Sequence, residues 1–456
     1  MDIDAILRDV PDWDAFLTVD ELDESGRRLA AEYPDCVELS VVGTSREGRP
    51  IQCLKIGDGP RRALLFGCVH PNEPIGSMML EYFSRRLAED AGLRRELGYT
   101  WYLIKCIDPD GTRLNEGWFR GPFTPTHYTR NFFRPGSPQQ VEWTFPIDYK
   151  GLHFDEPMPE TQALMGLIER LRPDFMYSLH NAGFGGVYYY ISDPAPDLYA
   201  PFHQLARDQG LPLSLGEPEV PYGVAFHPAV YQMLGAQAAY DYYEAFTSLD
   251  PAKAVTGGTS SGEYAKRFGD TFTLVCELPY FYDPRIDDQS SAGMSRRSAV
   301  LQSVDTSIRF HDRLEAIYAP VRGLLTLDSP YRKTVDNFTA LARSGSVAKR
   351  AWAERTEELT KDATVAEAFD NLVISRLYGG LLLGVFVRML AKELGDGLSP
   401  GRRALEEAMA KAVAFREESL AALEADLQYQ VVPIKKLATI QLGAGLHTAL
   451  HVKGRR

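Results

Sequence analysis

The stretch Leu64-Leu65-Phe66-Gly67-Cys68-Val69-His70-Pro71-Asn72-Glu73-Pro74 decides how this chain is read. An apolar run of strand character leads to His70, and Glu73 follows three residues later. Pro71 and Pro74 stop the strand and can open a helix. Both side chains are therefore expected at a strand's C-terminal end, the edge where open α/β sheets bind ligands. An imidazole and a carboxylate on one rigid turn can both reach a Zn²⁺ ion at ~2.0–2.2 Å. His-x-x-Glu also arises by chance, and a helix N-terminus with a carboxylate in its first turn has the same pattern. The stretch needs a third ligand and a base from elsewhere in the chain.

The 456 residues, 45% hydrophobic and 24% charged, suffice for two or three domains with a sizeable core. A formal net charge of −13 argues against nucleic acid or an anionic membrane as a partner. The cysteines (Cys36, Cys53, Cys68, Cys106 and Cys276) are odd in number and lie mostly in strand-like runs. That pattern fits buried free thiols and not a disulfide framework. The first residues have neither a basic nor an apolar region, and the apolar run from Leu377 to Leu390 is short and interrupted by Tyr378 and Arg388. The expectation is a soluble cytoplasmic protein with no membrane partner.

Strands are expected at 37–42 and 51–56, joined by Gly43-Thr44-Ser45-Arg46-Glu47-Gly48-Arg49-Pro50. A strand at 63–69 delivers His70, a helix follows over 74–98, and a strand over 99–107 precedes the turn Asp108-Pro109-Asp110-Gly111. Residues 112–157, rich in Pro, Gly and aromatics, read as an ordered functional loop. Further elements are a helix at 159–171 and strands at 175–179, 188–191 and 271–278. Strands alternating with helices predict an α/β fold with a mixed central sheet flanked by helices. Beyond about residue 320 strand signals cease, and helices dominate 331–427, with Leu405, Met409, Val413, Leu420 and Leu427 on one stripe. This predicts a catalytic domain over 1–322 and a helical C-terminal domain over 323–456. The run 381–387 is apolar on every side of a helix and must be buried, against the catalytic domain or against a second copy in a homo-oligomer.

His180 ends the apolar run Phe175-Met176-Tyr177-Ser178-Leu179, as His70 ends its own. Two histidines and one glutamate leave a fourth zinc position open, as catalytic sites require. Glu277 places a charge in Leu274-Val275-Cys276-Glu277-Leu278, a run otherwise suited to burial. An unpaired buried carboxylate is costly, which favours a functional reading.

The order His70-x-x-Glu73, Asp108-Pro109-Asp110-Gly111, Thr129-Arg130-Asn131-Phe132, Pro159-Glu160-Thr161, His180 and Glu277 resembles the zinc metallocarboxypeptidase family. The hairpin at 43–51 is similar to that family's first hairpin, and the likeness covers roughly residues 15–300. The resemblance implies one zinc per chain, held by His70, Glu73 and His180, with Glu277 as general base for the attacking water. It implies that Arg130 holds the free carboxylate of a peptide or peptide-like substrate, a bidentate task suited to guanidinium, with Asn131 beside it. It implies that Arg120 stabilises the oxyanion, with Arg113 as competitor. If Thr256-Gly257-Gly258 matches the family's small-residue turn, Lys253 stands near the mobile tyrosine of digestive members. Ser260 then stands where side-chain preference is set.

Two departures alter this set. Thr129 precedes Arg130 where the family has asparagine, and the aspartate that orients the first zinc histidine would fall at His127. The implied activity is hydrolysis of an amide next to a free carboxylate. An N-acyl-amino-acid deacylase of the same fold would use the same groups, and an inactive carboxylate-peptide binding module is the rival of another class. No Gly-x-Ser-x-Gly and no phosphate-cradling loop occurs.

Overall fold

The computed structural model describes residues 2–455. Its main sheet contains β1 (Val37–Thr44), β2 (Pro50–Ile56), β3 (Arg61–Phe66), β4 (Tyr99–Ile104), β5 (Phe175–Leu179), β6 (Tyr188–Ile191), β7 (Ala225–His227), β8 (Val230–Gln232) and β9 (Phe272–Glu277). The strand order is β1-β2-β4-β3-β5-β9-β6-β8-β7. The central strands β4, β3, β5 and β9 run parallel, and antiparallel pairs flank them on both sides. Every residue of β5 and β9 is buried. Their unbroken apolar runs are what parallel strands covered on both faces require. The mixed sheet flanked by helices is the fold the sequence predicts.

The helices that matter for the site are α1 (Ile75–Glu89), α2 (Pro159–Leu171), α3 (Pro196–Asp208), α4 (Arg296–Arg322), α5 (Pro330–Arg355), α6 (Ser375–Asp396), α7 (Arg402–Asp426) and α8 (Ile434–Gly454). The expected helix at 74–98 breaks at Asp90, whose side chain caps a second, shorter helix. The acids of two sequence motifs hold the first hairpin. Arg46 bonds Glu160 at 3.1 Å and Asp108 at 2.9 Å, and Ser45 donates to Asp110 at 2.9 Å.

The helical segment shares the core of the sheet and is not tethered to it. The boundary expected at 322/323 falls between α4 and α5, which pack on one another. Helix α8 lies directly on the sheet: the Tyr177 hydroxyl donates to the Gln441 carbonyl at 3.0 Å, and Tyr99 donates to Ala449 at 2.8 Å. Helix α6 continues from Val365–Phe369 through a π-helical turn, Asp370–Ile374. The whole run Val365–Asp396 is long and apolar enough to cross a membrane, longer than the sequence reading allowed, and 56% of its apolar window is buried inside the fold. Arg388 within it donates to the carbonyls of Asn131 (2.6 Å), Phe132 (3.0 Å) and Leu114 (2.8 Å). A Cβ on Gly384 would collide with the Thr129 carbonyl, so this helix and the 112–157 loop meet backbone to backbone. All five cysteines are free, four of them buried.

Candidate metal centre

Strand β3 ends at Phe66, three residues before the expected Val69. Cys68 then takes a left-handed backbone, φ 51°, an unusual state for a residue with a side chain. Such backbone strain concentrates at functional sites, and here it turns the chain so that His70 and Glu73 share one side. The Glu73 amide donates to the His70 carbonyl at 3.0 Å, which fixes the turn. Strands β5 and β9 lie side by side in the sheet. Their C-terminal ends therefore bring His180 and Glu277 to the same edge.

One ligand atom from each of His70, Glu73 and His180 lies within 4.8 Å of the others, and all three residues are buried. His70 Nδ1 stands 3.0 Å from Glu73 Oε2. Arg134 places Nη1 at 3.1 Å from Glu73 Oε1 and Nη2 at 2.9 Å from His70 Nε2. Guanidinium can only donate, so Nε2 accepts in this arrangement and Nδ1–H faces Glu73. Burial first, then the Arg134 charge, pushes the His70 pKa down to about 3, which keeps the imidazole neutral. Burial alone would raise Glu73, but His70 and Arg134 hold it below the usual carboxylate range.

His180 Nδ1 is 3.3 Å from Glu73 Oε2 and 3.7 Å from Glu277 Oε1. Its Nε2 is 2.9 Å from Ser178 Oγ, and Ser178 donates to the buried Glu142 at 2.9 Å. Ser178 therefore accepts from Nε2–H, which leaves the Nδ1 lone pair directed at the two carboxylates. Glu142 is itself fixed by the Ser261 amide at 2.9 Å and hydroxyl at 2.8 Å. Glu277 Oε2 is buried with no partner among the described residues. Burial first, then the carboxylates of Glu219 and Glu73, pushes Glu277 well above the usual range.

The cluster opens into a cavity of about 1090 Å³ whose far wall is built by α4, α5, α6 and α7. Ser260 lines it, its hydroxyl donating to the Leu234 carbonyl at 3.0 Å. Four other residues implied by the resemblance do not line it. Arg120 is 70% exposed and pairs with Glu21 at 2.9 Å, and its competitor Arg113 pairs with Asp20. Arg130 is 45% exposed and pairs with Glu417 of α7 at 2.5 Å. The Asn131 amide donates to the His127 carbonyl at 3.0 Å, and Lys253 is exposed on the short helix Pro251–Ala254.

The physical reason for the Arg130 correction is local. Thr124 caps, and Pro125 opens, a helix over Pro125–Asn131, which points Arg130 outward. Arg134 follows on extended chain and reaches the cluster instead. The cap and proline were the available signal; Glu142, Ser178 and Tyr378 carried none. Apart from Glu73, no carboxylate bonds His70 among the described residues: its other nitrogen meets Arg134, and the carboxylate support from Glu142 goes to His180 through Ser178.

A family model described as zinc carboxypeptidase matches residues 23–249. Zinc carboxypeptidase A 1 of Anopheles gambiae is 28% identical over 184 residues, 35% of this chain and 41% of that protein. Carboxypeptidase B of Astacus astacus is 28% identical over 105 residues, 22% of this chain and 35% of that protein. The matches thus span well under half the length of these curated relatives. Among solved structures, the carboxypeptidase A from Helicoverpa armigera is 14% identical, covering 78% of this chain and 80% of that chain with a TM-score of 0.39.

Proposed function

Because this chain belongs to the zinc carboxypeptidase family, we propose that it is a zinc-dependent hydrolase removing the C-terminal residue of a short peptide or peptide-like substrate. The observation that carries this reading is the cluster of His70, Glu73 and His180 with the partnerless oxygen of Glu277 against it. Two imidazoles and one carboxylate suit zinc, and their ligand atoms are close enough to share one ion. Zinc bound there would supply a Lewis acid for the scissile carbonyl and ease deprotonation of a water.

The chain's own groups do the rest. Glu277 takes the proton of the attacking water at Oε2, an oxygen that is buried with no partner among the described residues and so is free to accept it. The same carboxyl can pass that proton to the leaving amine. Arg134, with two Nη groups facing the cluster, donates to the carbonyl oxygen as negative charge grows on it. Glu142 acts through Ser178 to hold His180 in one tautomer.

The test is mass spectrometry of matched peptides, free acid and C-terminal amide, incubated with zinc-loaded protein. Loss of one C-terminal residue from the acids alone, stopped by chelation, supports the reading. Internal cleavage, or equal turnover of acids and amides, overturns it. The helical wall across the cavity favours a second reading, hydrolysis of a small N-acyl amino acid, whose released acyl acid the same spectra would reveal.

A further inference from the structure

If the substrate carries a free carboxylate, the cavity must offer a cation for it, and Arg130 stands outside. This question rests on the carboxypeptidase reading above. Four cations line the helical wall. Arg313 is paired with Glu418 at 2.7 Å and Arg376 with Asp426 at 2.5 Å. Arg309 is exposed and bonds the Thr306 hydroxyl at 3.0 Å.

Lys349 of α5 differs from these. It lines the cavity, is half-buried, and makes no hydrogen bond or ion pair among the described residues. The acids nearest to it are already engaged. Glu217 accepts from Arg296 at 2.8 and 2.6 Å and from Asn371 at 2.9 Å. Asp370 accepts the Glu217 amide at 2.8 Å, and burial pushes its carboxyl up to about 7. An ammonium partly withdrawn from water without a bonded anion is poorly compensated, and desolvation lowers its pKa.

Tyr378 of α6 lines the same cavity, and the residue is 58% accessible. Its hydroxyl has no hydrogen-bond partner among the described residues. The charges that act on it include those of Glu219, Asp370, Arg134 and Glu277, and Asp370 in turn feels Lys349. Two unused donors, both from the helical segment, thus line the same cavity as the metal cluster.

We propose that Lys349 anchors the substrate's free carboxylate, with the Tyr378 hydroxyl as a second donor. Carboxylate specificity then comes from the helical segment, outside the residues 23–249 that match the family. A bound carboxylate would give the ammonium the charged hydrogen bond it lacks.

The test uses zinc-loaded full-length protein and N-acetyl dipeptides, each as free acid and as amide. In Lys349→Gln the preference for acid over amide should fall about tenfold to a hundredfold, chiefly through the KM for the acid, while Lys349→Arg keeps most of it. Tyr378→Phe should lose a smaller factor. An intact acid preference in Lys349→Gln overturns the proposal, and an intact one in Tyr378→Phe removes the tyrosine from it. A second readout is independent of turnover and of the variant's folding. Slow reductive methylation of wild-type Lys349, followed by peptide mass spectrometry, should be suppressed by millimolar acid dipeptide and not by the amide. If wild type hydrolyses neither form, the carboxypeptidase reading fails and this protection alone decides: equal methylation with acid and amide overturns the anchor.

Discussion

Replacing Arg134 by methionine separates the arginine at the cluster from the one the sequence pointed to. Arg134 donates to His70 at 2.9 Å and to Glu73 at 3.1 Å, and its side chain is 30% exposed. Losing a donor aimed at a developing oxyanion costs about 2.7–4 kcal/mol of transition-state stabilisation, or ~10²–10³ in kcat. Charged hydrogen bonds contribute ~1.5–3 kcal/mol to stability; with one partner near solvent, a loss of about 1 kcal/mol is expected after allowing for screening. Arg130→Met removes only a surface pair with Glu417, worth ~0–1 kcal/mol, and should leave turnover within about twofold. The assay is kcat/KM on a free-acid peptide, with zinc content measured on the same samples. Arg134→Met at near wild-type rate would refute this reasoning, and Arg130→Met down a hundredfold would restore Arg130 as the holder of the substrate carboxylate.

Four further outcomes follow from the same geometry. Glu277→Gln should keep its zinc yet lose ~10²–10⁴ in turnover, because an amide cannot accept the water's proton; metal analysis beside single-turnover kinetics checks both halves. Gly384→Ala should lower stability by about 1–3 kcal/mol, or more if α6 cannot shift from the Thr129 carbonyl, read as a drop in denaturation midpoint. Deleting 323–456 should give insoluble protein, since α8 covers β5 and buries Leu437, Ile440, Leu446 and Ala449; a soluble, active truncation contradicts this. Asp370, pushed up to about 7 when folded and near 3.9 when unfolded, binds more protons in the folded state between those values. Stability should therefore fall as pH rises from about 4 to 7, and Asp370→Asn should relieve a cost of a few kcal/mol, raising the melting temperature more at pH ~8 than at pH ~5.

The parts of the fold that were legible are those where burial imposes a simple pattern. Strands β5 and β9 are covered on both faces and so read as unbroken apolar runs, and the polar residues at their ends stood out. That contrast made His180 and Glu277 visible. Strands β7 and β8 went unread because they are three residues each, too short to show alternation. Helix α8 is buried along most of its length, Thr439, Gln441 and Thr448 included, so its sequence shows no clean apolar stripe and lies outside the predicted helical span. Arg134, Lys349 and Tyr378 reach the cavity through tertiary placement alone. Nothing in their neighbours' chemistry distinguishes them from surface residues, and the motif around Arg130 drew attention away. The acids of Asp108-Pro109-Asp110-Gly111 and Pro159-Glu160 matched a family pattern but act by holding the 43–50 hairpin.

The central claim is that His70, Glu73 and His180 together hold one zinc ion. X-ray absorption at the zinc edge, on protein loaded with one equivalent, tests it directly. The account predicts a shell of nitrogen and oxygen at ~2.0–2.2 Å, no sulfur near ~2.3 Å, and loss of that bound zinc in His180→Ala. A sulfur shell, which would bring in Cys68 two residues from His70, or an unchanged spectrum in His180→Ala, would contradict it.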